Sequence, residues 1–394
     1  MHDIRLLTEG DAAAAWALGS LSFGYHDRPM PEGWGGDAPG RHGWGVFDAE
    51  GRMLGKAIDR EQSHWFGGRL VPAAGVAGVA TAAELRGGGI GRAMLTRLLG
   101  SARDRGAAIS TLFDTTPIPY RRLGWEEVGA RIRTAYPTHR LASVRRPAGT
   151  LTRPATEQDV PAIEELYREV ARANVGMIER SGPVTGQTPA AFLSDWDGVT
   201  VATDSTGIAG YACWDRGPGY DTASRIMVGE LLGRTPDATL ALLAVVGGWA
   251  AVAPTMTLVQ PAIDPVHLVA DIAGSGQPDR RQPWMLRIVD APAAVLARGY
   301  SRFVSGSVAI ELEDAECPWN AGPHRLVLDQ GEARLEPGGP GGARFVPRGF
   351  AAWYAGAATP SVLRRAGLLS GDDAADDLLA AATAGPAPVL LDYF

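Results

Sequence analysis

Along the first 150 positions, apolar residues fall into short alternating runs interrupted by one long helical stripe. "GWGVFDAEGRMLGKAI" predicts a hairpin turning at Asp48 to Gly51, and "GVAGVAT", Gly75 to Thr81, predicts a short buried strand. Ile90, Met94, Leu95, Leu98, Leu99 and Ala102 then share one helical face that ends at Gly106, and "AAISTLF" reads as another buried strand. The opening pattern returns later. Arg5, Thr8, Glu9 and Asp11 of "RLLTEGD" recur as Arg153, Thr156, Glu157 and Asp159 of "RPATEQD", each time where a short strand meets an N-cap threonine and an amphipathic run. Two readings remain open on that motif alone: a duplicated domain, or two helix starts sharing a capping preference.

Turn-forming residues divide the chain. "RRPAGTLTRP" has the composition of a connection, which places a boundary near Gly149, and "GSGQPDRRQP", Gly274 to Pro283, suggests a second. Beyond it come hairpin-like strands, "FVSGSVAIELED" and "HRLVLDQGEARLEP", a late helical stretch, "SVLRRAGLLSGDDAADDLLAAA", and a final extended piece, "PVLLDYF". The expected segments are 1–148, 149–283 and 284–394, in keeping with a chain of 394 residues.

The chemistry begins at "ELRGGGIGRAML", Glu84 to Leu95, where four glycines lie between a predicted strand and a predicted helix. Bare amides at a helix N-terminus form an anion site, and the natural anion is a phosphate or pyrophosphate, with Arg86 and Arg92 adding charge. The dinucleotide fingerprint fails: counted from Gly87 its last position is Arg92, and counted from Gly89 it is Met94. The Walker pattern fails because neither Gly-Lys-Ser nor Gly-Lys-Thr occurs. Arg86-x-x-Gly89-x-Gly91 does fit the pyrophosphate loop of the GCN5-related N-acetyltransferases. A ligand-free glycine turn is the competing reading.

Charge and composition narrow the partners. A formal net charge of −7 argues against a nucleic-acid groove or an anionic membrane surface and tolerates a cationic substrate. Lys56 is the only lysine; like the abundant alanine, it looks like codon bias and carries no functional weight at this level. Cys213 and Cys317 lack CxxC spacing and the seven histidines are scattered, so neither a disulfide framework nor a metal site is expected. No Gly-x-Ser-x-Gly elbow occurs. No basic region precedes an apolar stretch at the N-terminus and no apolar run reaches membrane-spanning length, so a cytoplasmic protein is expected.

Taken with "YRRLGWEEVG" from Tyr120, "WMLRIVDAPAAVLARGY" from Trp284 and the terminal Phe394, the loop gives the whole chain a resemblance to the enhanced intracellular survival (Eis) family of acetyltransferases. The resemblance implies an α/β (α+β) fold: tandem acetyltransferase-like domains, each a mixed sheet flanked by helices, then a sterol-carrier-like α/β domain. The first domain would bind acetyl-CoA. The second would be degenerate, as Pro236 and Asp237 stand where a glycine loop would be. By the same resemblance, Val79, Ala80 and Thr81 receive the acetyl carbonyl and pantetheine arm, and Arg86, Gly87, Gly88, Gly89, Ile90, Gly91 and Arg92 hold the pyrophosphate. Tyr120 matches the family's general acid and the Phe394 carboxylate its general base. Unperturbed, the phenol would titrate at about 10 and the carboxylate at about 3.5. A tyrosine that merely packs, and a terminal strand that merely docks, are the alternatives.

The expected acceptors are primary amines of the aminoglycoside, polyamine or lysine type. Two acidic positions of the family pocket are Tyr25 and Tyr393 here, so affinity for polycations should be reduced. Phe23, His26, Asp27, Trp34, Asp392 and either Phe192 or Trp196 are the remaining pocket candidates. No cysteine is placed to carry an acyl group, so transfer in a ternary complex is expected. The resemblance further implies a homo-oligomer, a hexamer built as a trimer of dimers. The rival expectation is a non-catalytic protein that binds CoA or a lipid through its third domain.

Overall fold

The computed structural model describes residues 2–25, 27–31, 34, 38–261, 264–339 and 341–394. Two similar halves build one sheet. The first half runs β1 (Asp3–Leu6), α1 (Ala12–Phe23), β2 (Arg41–Phe47), β3 (Met53–Phe66), β4 (Arg69–Thr81), α2 (Ile90–Asp104), β5 (Ile109–Phe113), α3 (Pro117–Arg122) and β6 (Glu126–Pro137). The second runs β7 (Leu151–Pro154), α4 (Val160–Ala173), α5 (Pro189–Ser194), β8 (Gly198–Asp204), β9 (Gly207–Arg216), β10 (Arg225–Gly233), α6 (Pro236–Gly247), β11 (Thr255–Val259) and β12 (Gln277–Ile288).

Their strands form a twelve-stranded mixed sheet in the order β1-β2-β3-β4-β5-β12-β6-β11-β10-β9-β8-β7. The order is symmetric about the β12–β6 pair, which resolves the repeat in favour of duplication. The capping motif repeats in detail: Arg5 and Arg153 each reach Asp11 or Asp159 at 2.7 Å, and the amides of Thr8 and Thr156 each reach the same carboxylates at 2.8 Å. Both are capping boxes, which satisfy amides that a helix start would otherwise leave bare.

The symmetric order also means that each repeat gives its last strand to the other. β6 pairs antiparallel with β11 from Pro137–Thr255 to Arg133–Val259, and β12 pairs antiparallel with β5 from Trp284–Phe113 to Ile288–Ile109. Position 283 lies inside β12, so the divisions at 148/149 and 283/284 do not separate independent sheets.

The predicted helical face of α2 is the buried one: Ile90, Met94, Leu95, Leu98, Leu99 and Ala102 all lie in the interior. β4 is longer than the short strand expected at Gly75 to Thr81, because "RLVPAA" continues the pairing with β3 back to Arg69.

The third segment forms a five-stranded sheet, β15-β14-β13-β16-β17, from β13 (Gly306–Leu312), β14 (Gly322–Asp329), β15 (Glu332–Pro337), β16 (Ala343–Phe345) and β17 (Leu369–Gly371). The late stretch expected to be one helix is two short ones, Pro360–Arg365 and Asp376–Ala382, separated by β17. Gly367 breaks it with φ +69°, a conformation that glycine adopts cheaply. Phe345, Phe350 and Trp353 share one core with Phe66, Ile109 and Trp284 of the large sheet, so the third segment is fused to the sheet rather than tethered to it.

Candidate active site

β4 and β5 are the parallel neighbours of the first repeat, and they pair only over Ala73–Ile109, Ala74–Ser110 and Gly75–Thr111. β4 continues to Thr81 while β5 ends at Phe113, so the strands part and leave one edge of Val76–Thr81 without a ladder. A bulge at Gly78 and Val79, both opposite Ala57, turns the strand further, with Gly78 at φ +57°. Unpaired backbone in a central strand is costly unless a ligand or water takes the hydrogen bonds.

At the end of this wedge the glycine loop enters α2. Gly89 is its N-cap at φ +84°, and no side chain caps the helix. A Cβ on Gly87 or Gly89 would meet nothing within 4 Å. The loop is therefore open at both glycines, beside the positive end of a fifteen-residue helix. The second repeat shows the contrast. There the Thr235 side chain accepts from the Ala238 amide at 3.1 Å, closing the N-terminus of α6 on itself.

A cleft of about 720 Å³ joins wedge and loop, lined by Val79, Ala80, Thr81, Arg86, Gly87, Gly89, Ile90, Gly91 and Arg92 and also by Phe23 and Tyr120. The structure thus brings together nearly all the residues expected to hold a CoA-type ligand; Gly88 is on the loop and exposed. Arg92 is not a free cation, since its guanidinium is paired with Glu316 of the third segment, which also accepts from Thr96 Oγ1 at 2.8 Å. Arg86 donates weakly to the Thr81 carbonyl at 3.4 Å, which leaves it the cation poised over the loop.

Tyr120 sits on α3, opposite the loop, with its ring edge-on to Trp125 at 6.2 Å. Burial pushes the phenol up to about 12, and the charge of Asp114 adds to the effect. Its hydroxyl makes no hydrogen bond to a described residue and remains available to the cleft.

The Phe394 ring packs against Phe113 at 5.3 Å, and the Tyr393 ring lies 4.8 Å from the same side chain. The terminal residues thus reach the end of β5, one residue before Asp114. The preceding segment is anchored firmly: Val389 donates to the Val175 carbonyl at 2.8 Å, Arg131 Nε donates to Leu391 O at 2.6 Å, and Asp392 takes hydrogen bonds from Tyr167 (2.7 Å) and Arg180 (2.9 Å). Asp392 is consumed by these partners rather than open to an acceptor.

The remaining pocket candidates divide. Phe23 and Tyr25 stack at 6.3 Å, and Trp16 lies 5.1 Å from both Tyr25 and Trp34, forming an aromatic wall at the end of α1. Asp27 is exposed nearby, and His26 lies outside the described residues. Phe192 belongs instead to the core of the second repeat, among Ile163, Leu166, Val201 and Tyr211; Trp196 packs beside that core and covers Gly229. Each was a candidate only as an aromatic residue of the second repeat, and residue type does not separate a core aromatic from a pocket one.

Sequence reasoning missed Trp16, Arg41, Arg60 and Phe113 and gave Lys56 no role. Alternation along β3 was the available signal: Lys56, Ile58, Arg60, Gln62 and His64 occupy every second position, and so one face of the sheet. His64 is fully buried there. Its Nδ1 lies 2.6 Å from Gly176 O and its Nε2 3.1 Å from Thr111 Oγ1, and burial lowers its pKa to about 4.

Parted parallel strands, an uncapped glycine loop and a phenol facing both across a cleft are the working parts of an acyl-transfer site on a duplicated sheet. Comparison with known proteins agrees. Residues 3–128 match the acetyltransferase (GNAT) domain model, and residues 291–391 match the sterol carrier protein domain model. An uncharacterized N-acetyltransferase of Streptomyces coelicolor is 29% identical over 287 residues, 68% of either chain. The structure of a GCN5-related N-acetyltransferase from Kribbella flavida is 30% identical, covers 100% of this chain and 99% of its own, and superposes with a TM-score of 0.83. Eis1 from Mycobacterium abscessus shares the fold over the full length of both chains, at 21% identity and a TM-score of 0.77. The chain belongs to the GCN5-related N-acetyltransferases.

Proposed function

We propose that this acetyltransferase is an Eis-like enzyme that moves the acetyl group of acetyl-CoA to a primary amine while both substrates are bound. The observation that carries this reading is the single cleft joining the unpaired edge of β4, the uncapped end of α2 and Tyr120. Acetyl-CoA supplies an activated thioester. Forming the amide removes a proton from the amine and delivers one to sulfur.

The loop amides and Arg86 hold the pyrophosphate, and the free edge of Val79 to Thr81 holds the arm and the acetyl carbonyl. Tyr120, kept protonated by burial, donates to the sulfur. The Phe394 carboxylate, brought beside β5 by the anchored terminal segment, takes the amine proton directly or through water. Assembly into a closed homo-oligomer belongs to the same reading. The rival is a non-catalytic protein that binds CoA or a lipid through the third segment, whose core holds Phe345, Phe350, Trp353 and Tyr354.

The test is thiol release from acetyl-CoA by protein with a native C-terminus, across aminoglycosides, polyamines, lysine peptides and arylalkylamines. Release with a subset of amines, and its loss when residues are appended after Phe394, is the expected result. CoA binding without release for any amine would overturn the catalytic reading.

A further inference from the structure

β4 lies inside the sheet, yet Ala77, Gly78 and Val79 are only partly covered. Mid-strand residues of a central strand reach solvent only where a cleft cuts down to the sheet. The floor is made of small residues, and the β3 side of that floor is basic.

Alternation along β3 puts Lys56 and Arg60 on the α1 face, and the β2–β3 register sets Arg41 directly across from Arg60. Contacts confirm the face. A Cβ on Gly19 of α1 would lie 2.8 Å from Lys56 Nζ and 2.6 Å from the Tyr25 hydroxyl, and one on Gly78 would lie 3.9 Å from the same ammonium. Lys56 pairs in register with Ala80, while the Arg60 guanidinium lies 5.9 Å from the Phe394 ring. The row of cations therefore runs from the acyl strand to the terminal residue.

Among the described residues these charges have no ion-pair partner. Lys56 is 2% exposed and makes no ion pair or hydrogen bond to a described residue; its ammonium lies 5.1 Å from the Trp34 ring centre. Arg60 Nε is buried without a partner, and its one hydrogen bond, to Val184 O, is long at 3.4 Å. Two other buried guanidiniums meet carboxylates, Arg287 both oxygens of Asp314 and Arg180 those of Glu230 and Asp392, whereas Arg298 is buried among the rings of Phe66, Tyr300 and Tyr354. The Asp392 charge acts on Arg60 without a hydrogen bond between them, its oxygens being bonded to Arg180 and Tyr167. Burying like charges without a counter-ion is costly and, for arginine, cannot be relieved by deprotonation.

We infer that the acceptor carries an anionic group, a carboxylate or a phosphate, beside its amine, and that Arg60 and Arg41 bind this group while Lys56 adds to the field. The aromatic wall of Trp16, Phe23, Tyr25 and Trp34 suits an apolar body between the two ends. An amino-anion, not a polycation, is then the preferred substrate class. The inference rests on the acetyltransferase reading for the amine, whereas the cation row holds an anion whether or not transfer occurs.

Calorimetry on the full chain saturated with CoA tests it with two matched pairs, L-tryptophan against tryptamine and O-phosphoethanolamine against ethanolamine, with spermidine as the polycation. Thiol release from acetyl-CoA is followed in parallel. At least one anionic member is expected to bind tenfold or more tighter than its neutral-tailed counterpart, and the responding pair identifies carboxylate or phosphate. Arg60→Gln and, separately, Arg41→Gln should reduce that preference to threefold or less, with CoA affinity reporting that each variant is folded. Equal binding within both pairs, no binding by either anionic member at millimolar concentration, or tightest binding by spermidine overturns the inference. Thiol release confined to polycations would leave acetyl transfer standing without it. Anion binding with no release for any amine would do the reverse.

Discussion

Tyr120→Phe isolates one hydroxyl. The substitution keeps the ring and its edge-on packing against Trp125, and it removes no hydrogen bond to a described residue, so folding stability should change by less than about 1 kcal/mol. Catalysis should suffer far more. A positioned general acid contributes about 10²–10⁴-fold, or about 3–5 kcal/mol of barrier, and kcat should fall by that factor while CoA affinity holds. The pH profile is the sharper readout. A phenol at its ordinary value of about 10 is about 1% ionised at pH 8, but one pushed up to about 12 is about 0.01% ionised there. An acid works only while protonated, so activity attributable to Tyr120 is lost as pH rises through its own pKa. The wild-type profile should therefore show no phenol-dependent fall below about pH 10. Steady-state thiol release from pH 6 to 10.5 measures both quantities. A variant within threefold of wild type would refute the assignment. A wild-type decline near pH 9 that disappears in Tyr120→Phe would refute the argument from burial.

Gly89→Ala forces an L-residue to φ +84°, so it should cost about 1 kcal/mol of unfolding free energy and weaken CoA binding about tenfold, both measurable by calorimetry. Arg287→Met leaves Asp314 charged, buried and unpaired, and should destabilise the chain by about 3–5 kcal/mol in thermal denaturation; adding Asp314→Leu should recover much of that loss. His64 has a folded pKa lowered to about 4 against an ordinary value near 6.5, so the unfolded chain binds the extra proton and stability falls as pH drops from about 6.5 to 4. Asp59, raised by burial to about 6, opposes that trend, so the expected signal is a difference: His64→Gln should lose less stability than wild type between pH 6.5 and 4 by chemical denaturation.

Local signals were legible where one face decides. The stripe of α2, the turn at Asp48 to Gly51, the loop at Arg86 to Arg92 and the twin capping motifs all follow from short-range spacing, and each is found in place. The exchange of β6 and β12 was not legible, because local periodicity says that a strand exists and not which neighbour it joins. Phe192 misled for a related reason: an aromatic residue serves a core or a pocket equally well, and packing alone distinguishes them. Lys56 was set aside as a product of codon bias, since nothing in its local sequence marks it. Its meaning lies in Arg41, fifteen positions upstream, and Arg60, four downstream, which only the β2–β3 register brings together.

The second repeat holds the terminal segment. β10 and β11 also part, pairing only from Arg225–Thr255 to Val228–Leu258 while β10 runs on to Gly233, with Gly229 at the matching bulge. This second wedge is the counterpart of the first, but Val389 and Leu391 of the terminal segment line it, packed with Val259, Tyr167 and Met177. The duplicated opening has thus become an anchor for the chain's own last residues. Arg180 strengthens the anchor by joining Glu230 of β10 to Asp392, so the wedge and the tail are tied by charge as well as by apolar burial. A segment held at Val389, Leu391 and Asp392 leaves only Tyr393 and Phe394 to reach across to Phe113, and two residues on a fixed mount are far better defined than a frayed end. The anchoring thus fixes both rings beside the end of β5. It also explains why the second repeat can lose the glycine loop without losing its wedge: the opening is still used, now by the protein itself.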